Sequence, residues 1–180
     1  MCYKTVDKYA SQSLLYLQES IAMAKRKLIS EPATYSDLTI IGLSSQLKDY
    51  RLAFFINRDI GINLVKIRDL PVYSEKEDTL FEFPLYTCFE PERRINYYLL
   101  GNNNGGTKMI PAYKQADYLM LLHGPVDSER VNSLMIAIRK INVVQLAFAL
   151  DIAKIKNLEG IMSDLELHMV GKGTSTNLPG

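Results

Sequence analysis

Along residues 5–29, Val6, Ala10, Leu14, Leu17, Ile21, Ala24 and Leu28 recur at steps of three and four. That spacing predicts an amphipathic helix with one apolar stripe. Glu31-Pro32 ends it, because the residue before a proline avoids the helical region. The stripe must cover an apolar surface, either on the chain's own domain or on a second copy of the chain.

Further on, the pattern changes repeatedly. Residues 38–43, LTIIGL, have the length and β-branched content of a strand. Residues 47–60 predict a buried helix, with Ser44 or Ser45 as its N-cap and Gly61 as its stop. Alternation of Tyr50, Leu52, Phe54 and Ile56 leaves a strand as the other reading. A strand is expected over 63–68 and a polar loop over 74–78. Over 79–89, Phe81, Phe83, Leu85, Thr87 and Phe89 share one face, and Pro84 places that strand at an edge or a bulge. Residues 94–100 return as its hairpin partner, with Ile95, Tyr97 and Leu99 inward. GNNNGG, 101–106, supplies residues tolerant of positive φ for a turn. A strand over 117–123 is followed by a helix capped by Asp127 or Ser128, with Val131, Leu134, Ile138 and Ile141 buried. A strand over 143–150 and a short helix to about Ile161 complete the series.

The order is helix, strand-helix-strand, hairpins, strand-helix-strand, helix. It predicts an α+β fold with one mixed, largely antiparallel sheet and helices mainly on one face. The strand-helix-strand units are expected to cross over right-handed. Residues 1–34 read as the N-terminal amphipathic helix, 35–165 as a single α+β domain and 166–180 as a flexible tail.

Composition narrows the class. The 180 residues are 47% hydrophobic and 23% charged, with a net charge of +1. These values suit a globular domain with a sizeable core. Such a balance lacks the basic field that a nucleic acid backbone needs, and Lys25-Arg26-Lys27 reads as a solvated helix face. Two distant cysteines, Cys2 and Cys88, suggest no disulfide framework and point to a reducing, cytoplasmic setting. No apolar run is long enough for a membrane span, and the first thirty residues lack the unbroken apolar stretch of a signal peptide.

The stretch MIPAYKQADYLMLLHG, 109–124, sets a proline and six small or polar residues before one of the most apolar runs in the chain. Pro111 can open a single helical turn, where its missing N–H is not needed. Asp117 can accept hydrogen bonds from backbone N–H groups that the turn leaves unpaired. Ile110, Pro111, Asp117, Tyr118 and the apolar strand ending in Gly124 resemble a family of small bacterial proteins, found chiefly in Bacteroidetes and named for an Ile-Pro-Glu-x-x-Asp signature. Residues 41–64 are similar to that family's upstream segment, and the resemblance covers roughly 35–155. Ala112 stands where the signature has Glu, and the nearest following acid is Asp117. The resemblance implies the same fold and a bacterial cytoplasm; it implies no activity.

Chemistry is thinly signalled. His123 and His168 are far apart, and no metal-ligand spacing appears. GNNNGGTK lacks the Gly-Lys step of a phosphate loop, and GLSSQ lacks the second glycine of a nucleophile elbow. No catalytic residue, metal or cofactor is expected. The 11 tyrosines include Tyr97, Tyr98, Tyr113 and Tyr118 around the hairpin and the polar stretch. Tyrosine suits interfaces and half-buried sheet faces alike. These features predict a non-catalytic binding or assembly module, pairing with a second copy or another protein, with Pro111, Tyr113, Asp117, Tyr118 and His123 as its binding residues. A small-molecule-binding regulatory domain and a hydrolase using His123 are the alternatives.

Overall fold

The computed structural model describes residues 35–74 and 77–173. The first predicted helix, within 1–34, lies outside the described residues.

Among the described residues there are ten strands and three α-helices. The strands are β1 (Leu38–Ser44), β2 (Val65–Lys66), β3 (Leu70–Ser74), β4 (Thr79–Phe83), β5 (Leu85–Glu90), β6 (Ile95–Gly101), β7 (Asn103–Asn104), β8 (Thr107–Lys108), β9 (Tyr118–His123) and β10 (Leu146–Ala149). The helices are α1 (Asp49–Ile60), α2 (Ser128–Arg139) and α3 (Leu158–Gly173). Six strands form the main sheet in the order β10-β1-β9-β6-β5-β2, while β3–β4 and β7–β8 are separate hairpins. Every neighbouring pair in the sheet is antiparallel. Both expected strand-helix-strand units join strands that run the same way: β9-α2-β10 passes over β1, and β1-α1-β2 passes over β9, β6 and β5.

The sheet is covered on both faces, and that explains its apolar runs. In β9, Leu119 and Leu121 join the core under α3 and the β3–β4 hairpin. Met120 and Leu122 join the core under α1 and α2. A strand buried on both sides has no polar face to alternate with. Two of these three helices thus share one face, and the third lies opposite.

Several boundaries differ from expectation. The 79–89 strand breaks at Pro84, which has no N–H for a ladder; β4 pairs with β3, whereas β5 enters the main sheet. The 63–68 strand shortens to Val65–Lys66, and β3 follows it. The 143–150 strand shortens to Leu146–Ala149. The last helix runs to Gly173, so residues 166–173 belong to it rather than to a tail. Gly160 and Gly171 weaken the local helical signal, but Leu158, Ile161, Met162 and Leu165 bury a face that holds the helix on the sheet.

Helix ends follow capping chemistry in part. The Asp127 carboxylate accepts from Arg130 N–H at 2.7 Å, as expected of an N-cap. Gly61, at φ +80°, closes α1 and donates to the Asn57 carbonyl. The expected serine cap of α1 is absent; Lys48 holds that position without a side-chain capping bond. Ser45 is buried instead and donates to the Val143 carbonyl at 2.8 Å.

Candidate functional site

The polar stretch before β9 is wound around one buried amide. Asn102 follows β6 and is 0% exposed. Its Nδ2 donates to the carbonyls of Ala116, at 2.9 Å, and Tyr113, at 3.3 Å. Its Oδ1 accepts from Ile110 N–H at 2.8 Å. Its own backbone donates to the Asp117 carbonyl and accepts from Met109 N–H. These bonds close residues 109–117 into a loop around a side chain sealed from solvent. Pro111 opens the 3-10 turn Pro111–Tyr113 from its first position, as its chemistry predicts.

Each expected binding residue has an internal partner or stands apart. Asp117 Oδ2 accepts from the Ser44 hydroxyl at 3.2 Å and from Ser45 N–H at 3.1 Å, while Oδ1 lies 3.4 Å from Lys108 Nζ. The backbone N–H it accepts from therefore belongs to the exit of β1 and not to its own turn. The Tyr118 hydroxyl donates to the Leu47 carbonyl at 2.5 Å, fixing the same loop. Burial foremost, then the charges of Asp49 and Asp117, push this phenol up to about 12. The Tyr113 hydroxyl donates to the Asp151 carbonyl and accepts from Asp151 N–H, and its ring lies 6.1 Å from that of Phe148. His123 closes β9 at its far end; six residues of strand place it about 20 Å from Asp117.

The structure therefore joins Asp117 and Tyr118 at the β1–α1 loop and sends Tyr113 and His123 elsewhere. Nor do the four tyrosines form one cluster. Tyr98 faces the α3 side, and Tyr97 and Tyr118 face the α1–α2 side.

Two surface features were not foreseen. A cleft of about 450 Å³ opens at the start of α2, lined by Arg93, Ile95, Val126, Asp127, Arg130 and Ser133 among others. None of the five expected binding residues lines it. Beside it Tyr97 donates to Glu90 Oε2 at 2.7 Å; Arg130 Nη2 lies 3.7 Å from the same oxygen, and Arg93 pairs with Oε1. Burial would raise the Glu90 carboxyl, but the hydrogen bonds from Tyr97 and Arg93 and the two guanidinium charges outweigh it and lower its pKa.

The second feature lies on α1. Leu52, Ala53 and Ile56 face the core, but Tyr50 and Phe54, one turn apart, are each 59% exposed. Phe55 meets the Phe54 ring edge-on at 5.6 Å, and the Arg58 guanidinium sits 4.7 Å from the Phe55 centroid and 5.9 Å from that of Phe54. The expectation of a buried helix is thus corrected: 47–60 carries apolar residues around more of its circumference than the core uses. That excess of aromatics over one stripe was the available signal.

Among the described residues no group of acidic, His and Cys side chains is placed to hold a metal ion, and no helix is long and apolar enough to cross a membrane. Compared with protein-family models, curated proteins and solved structures, the chain matches none.

Proposed function

We propose that this protein is a non-catalytic binding module of the bacterial cytoplasm that pairs with a second copy of itself, in a family marked by the Ile-Pro-Glu-x-x-Asp signature. The supporting observation is the aromatic face of α1. Two large aromatic side chains one helical turn apart, more than half exposed and flanked by Arg51 and Arg58, have the composition of an interface centre. The 109–117 loop is the scaffold in this reading. Its amide, its carboxylate and its phenols hold β1, β6 and β9 in place and leave the contact to α1.

Sedimentation of the full chain tests the reading. The wild type is expected at dimer mass, and the pair Tyr50→Ser with Phe54→Ser is expected to weaken association by roughly tenfold or more, as loss of central anchors does. An unchanged circular dichroism spectrum would show that the variant folds. A wild type at monomer mass, or a variant that stays dimeric, would refute it.

A second reading, a small ligand in the α2 cleft, rests on Arg130, whose Nε is buried without a partner among the described residues. A thermal-shift series with amino acids tests it, because a ligand held only by the folded state raises the melting temperature.

A further inference from the structure

The GNNNGG stretch contains the chain's one Asn-Gly step, Asn104-Gly105. It sits at the tip of the β7–β8 hairpin, where Asn104 pairs with Thr107 and Gly105 and Gly106 form the two-residue loop at φ +57° and +94°. Positive φ at both positions is the geometry that two-residue hairpins favour. We propose that Asn104 is a site of spontaneous covalent modification in the folded chain, with water as its co-reactant.

The chemistry follows from the neighbours. Gly105 N, deprotonated by hydroxide, attacks Asn104 Cγ. The N–Cγ bond forms, the Cγ–Nδ2 bond breaks, and ammonia leaves. Water then opens the five-membered imide at either carbonyl. One product carries an aspartate side chain at position 104; in the other the main chain runs through Cγ. Nothing is oxidised or reduced. A side chain on the following residue would crowd the ring. Gly105 has none, and apart from its chain neighbours nothing lies within 4 Å of where its Cβ would stand, so the surroundings leave hydroxide and water room to approach.

The reaction has a structural consequence. Asn104 Nδ2 donates to the Glu82 carbonyl at 2.8 Å and so ties β7 to β4. A carboxylate cannot donate. The aspartate product would lose that tie and set its charge against the same carbonyl. The other product adds a backbone atom to a two-residue loop, which breaks the Asn103–Lys108 and Asn104–Thr107 register. Modification therefore releases β7 from β4, while Thr107 of β8 keeps its bonds to the Glu77 carboxylate just before β4.

Peptide mapping of the full chain, held in mildly alkaline buffer at body temperature, tests it. The fragment containing residue 104 is expected to gain about one dalton and split into two chromatographic species, at a rate proportional to hydroxide. Asn104→Gln, which keeps the amide donor but needs a larger ring, is expected to show no gain. A free peptide of residues 100–109 is the reference. Conversion of the peptide with none in the folded chain would overturn the proposal, as would equal gains at other asparagines. For the consequence, Asn104→Asp is expected to speed hydrogen exchange of the β7 amides. Unchanged exchange would overturn the claim of release.

Discussion

Replacing Asn102 by alanine would leave the buried Ile110 N–H without its acceptor, while the Ala116 carbonyl keeps Lys108 Nζ and the Tyr113 carbonyl keeps the Ala116 N–H. A buried polar group left unpaired costs about 1–3 kcal/mol. We expect Asn102→Ala to lower unfolding stability by about 1–3 kcal/mol, read from the urea midpoint. Asn103→Ala, at the exposed neighbouring position, should stay within about 0.5 kcal/mol. Equal effects of the two would remove Asn102 from its place at the centre of the loop. The three asparagines are identical as letters, and the turn chemistry that suits 103 and 104 suits 102 equally well. Only the return of residues 109–117 past the end of β6 singles one out, and that approach is a long-range event. Asp117 shows the same limit. Its capacity to accept backbone N–H bonds was legible, but its partner, Ser45, lies at the exit of another strand.

At the scale of elements, the Glu90 network joins the end of β5, the face of β6 and the first turn of α2 through Tyr97, Arg93 and Arg130. Its carboxyl is held below its ordinary value of 4.5. A carboxyl whose folded pKa is lowered stabilises the fold above its ordinary value, and the stabilisation is lost as the pH falls through the folded value. Glu90→Gln removes that titration. The variant should be less stable than the wild type at neutral pH, and the gap should narrow as the pH falls below 4.5. Parallel stability curves from pH-dependent urea unfolding would contradict this account. Helices were legible at this scale where a stop or a cap is written locally, as at Gly61 and Asp127. The split at Pro84 was legible as a break. The assignment of the two halves to different sheets was not, because pairing partners of β4 and β5 are chosen by contacts with β3 and β6.

For the whole molecule, the sheet's outer strand β10 bonds to β1 alone among the described strands. An open edge invites pairing with another chain. Arg139 covers it: Nε and Nη2 both donate to the Ala147 carbonyl, at 3.0 and 2.7 Å. Arg139→Ala should cost about 1.5–3 kcal/mol, the range for bonds from a charged donor. It should also produce species larger than the wild type forms as concentration rises, seen by sedimentation. Lys140→Ala is the control and should do neither. The sequence placed Arg139 in the last turn of its helix as a partner for the helix dipole; the folded chain gives the guanidinium a carbonyl on the following strand.

What the sequence determined by itself is the set of elements and their apolar runs: the strand that becomes β1, the apolar run that becomes β9, the stops at Gly61 and Pro84, the α+β class. These depend on side chains within a few residues of one another, so short-range periodicity records them. What the tertiary structure decided is which strand neighbours which, that α3 closes the second face, that Asn102 organises the polar loop, and that Tyr50 and Phe54 remain outside. Those outcomes depend on packing between segments tens of residues apart. There the same residue type ends buried or exposed according to what the rest of the chain brings against it.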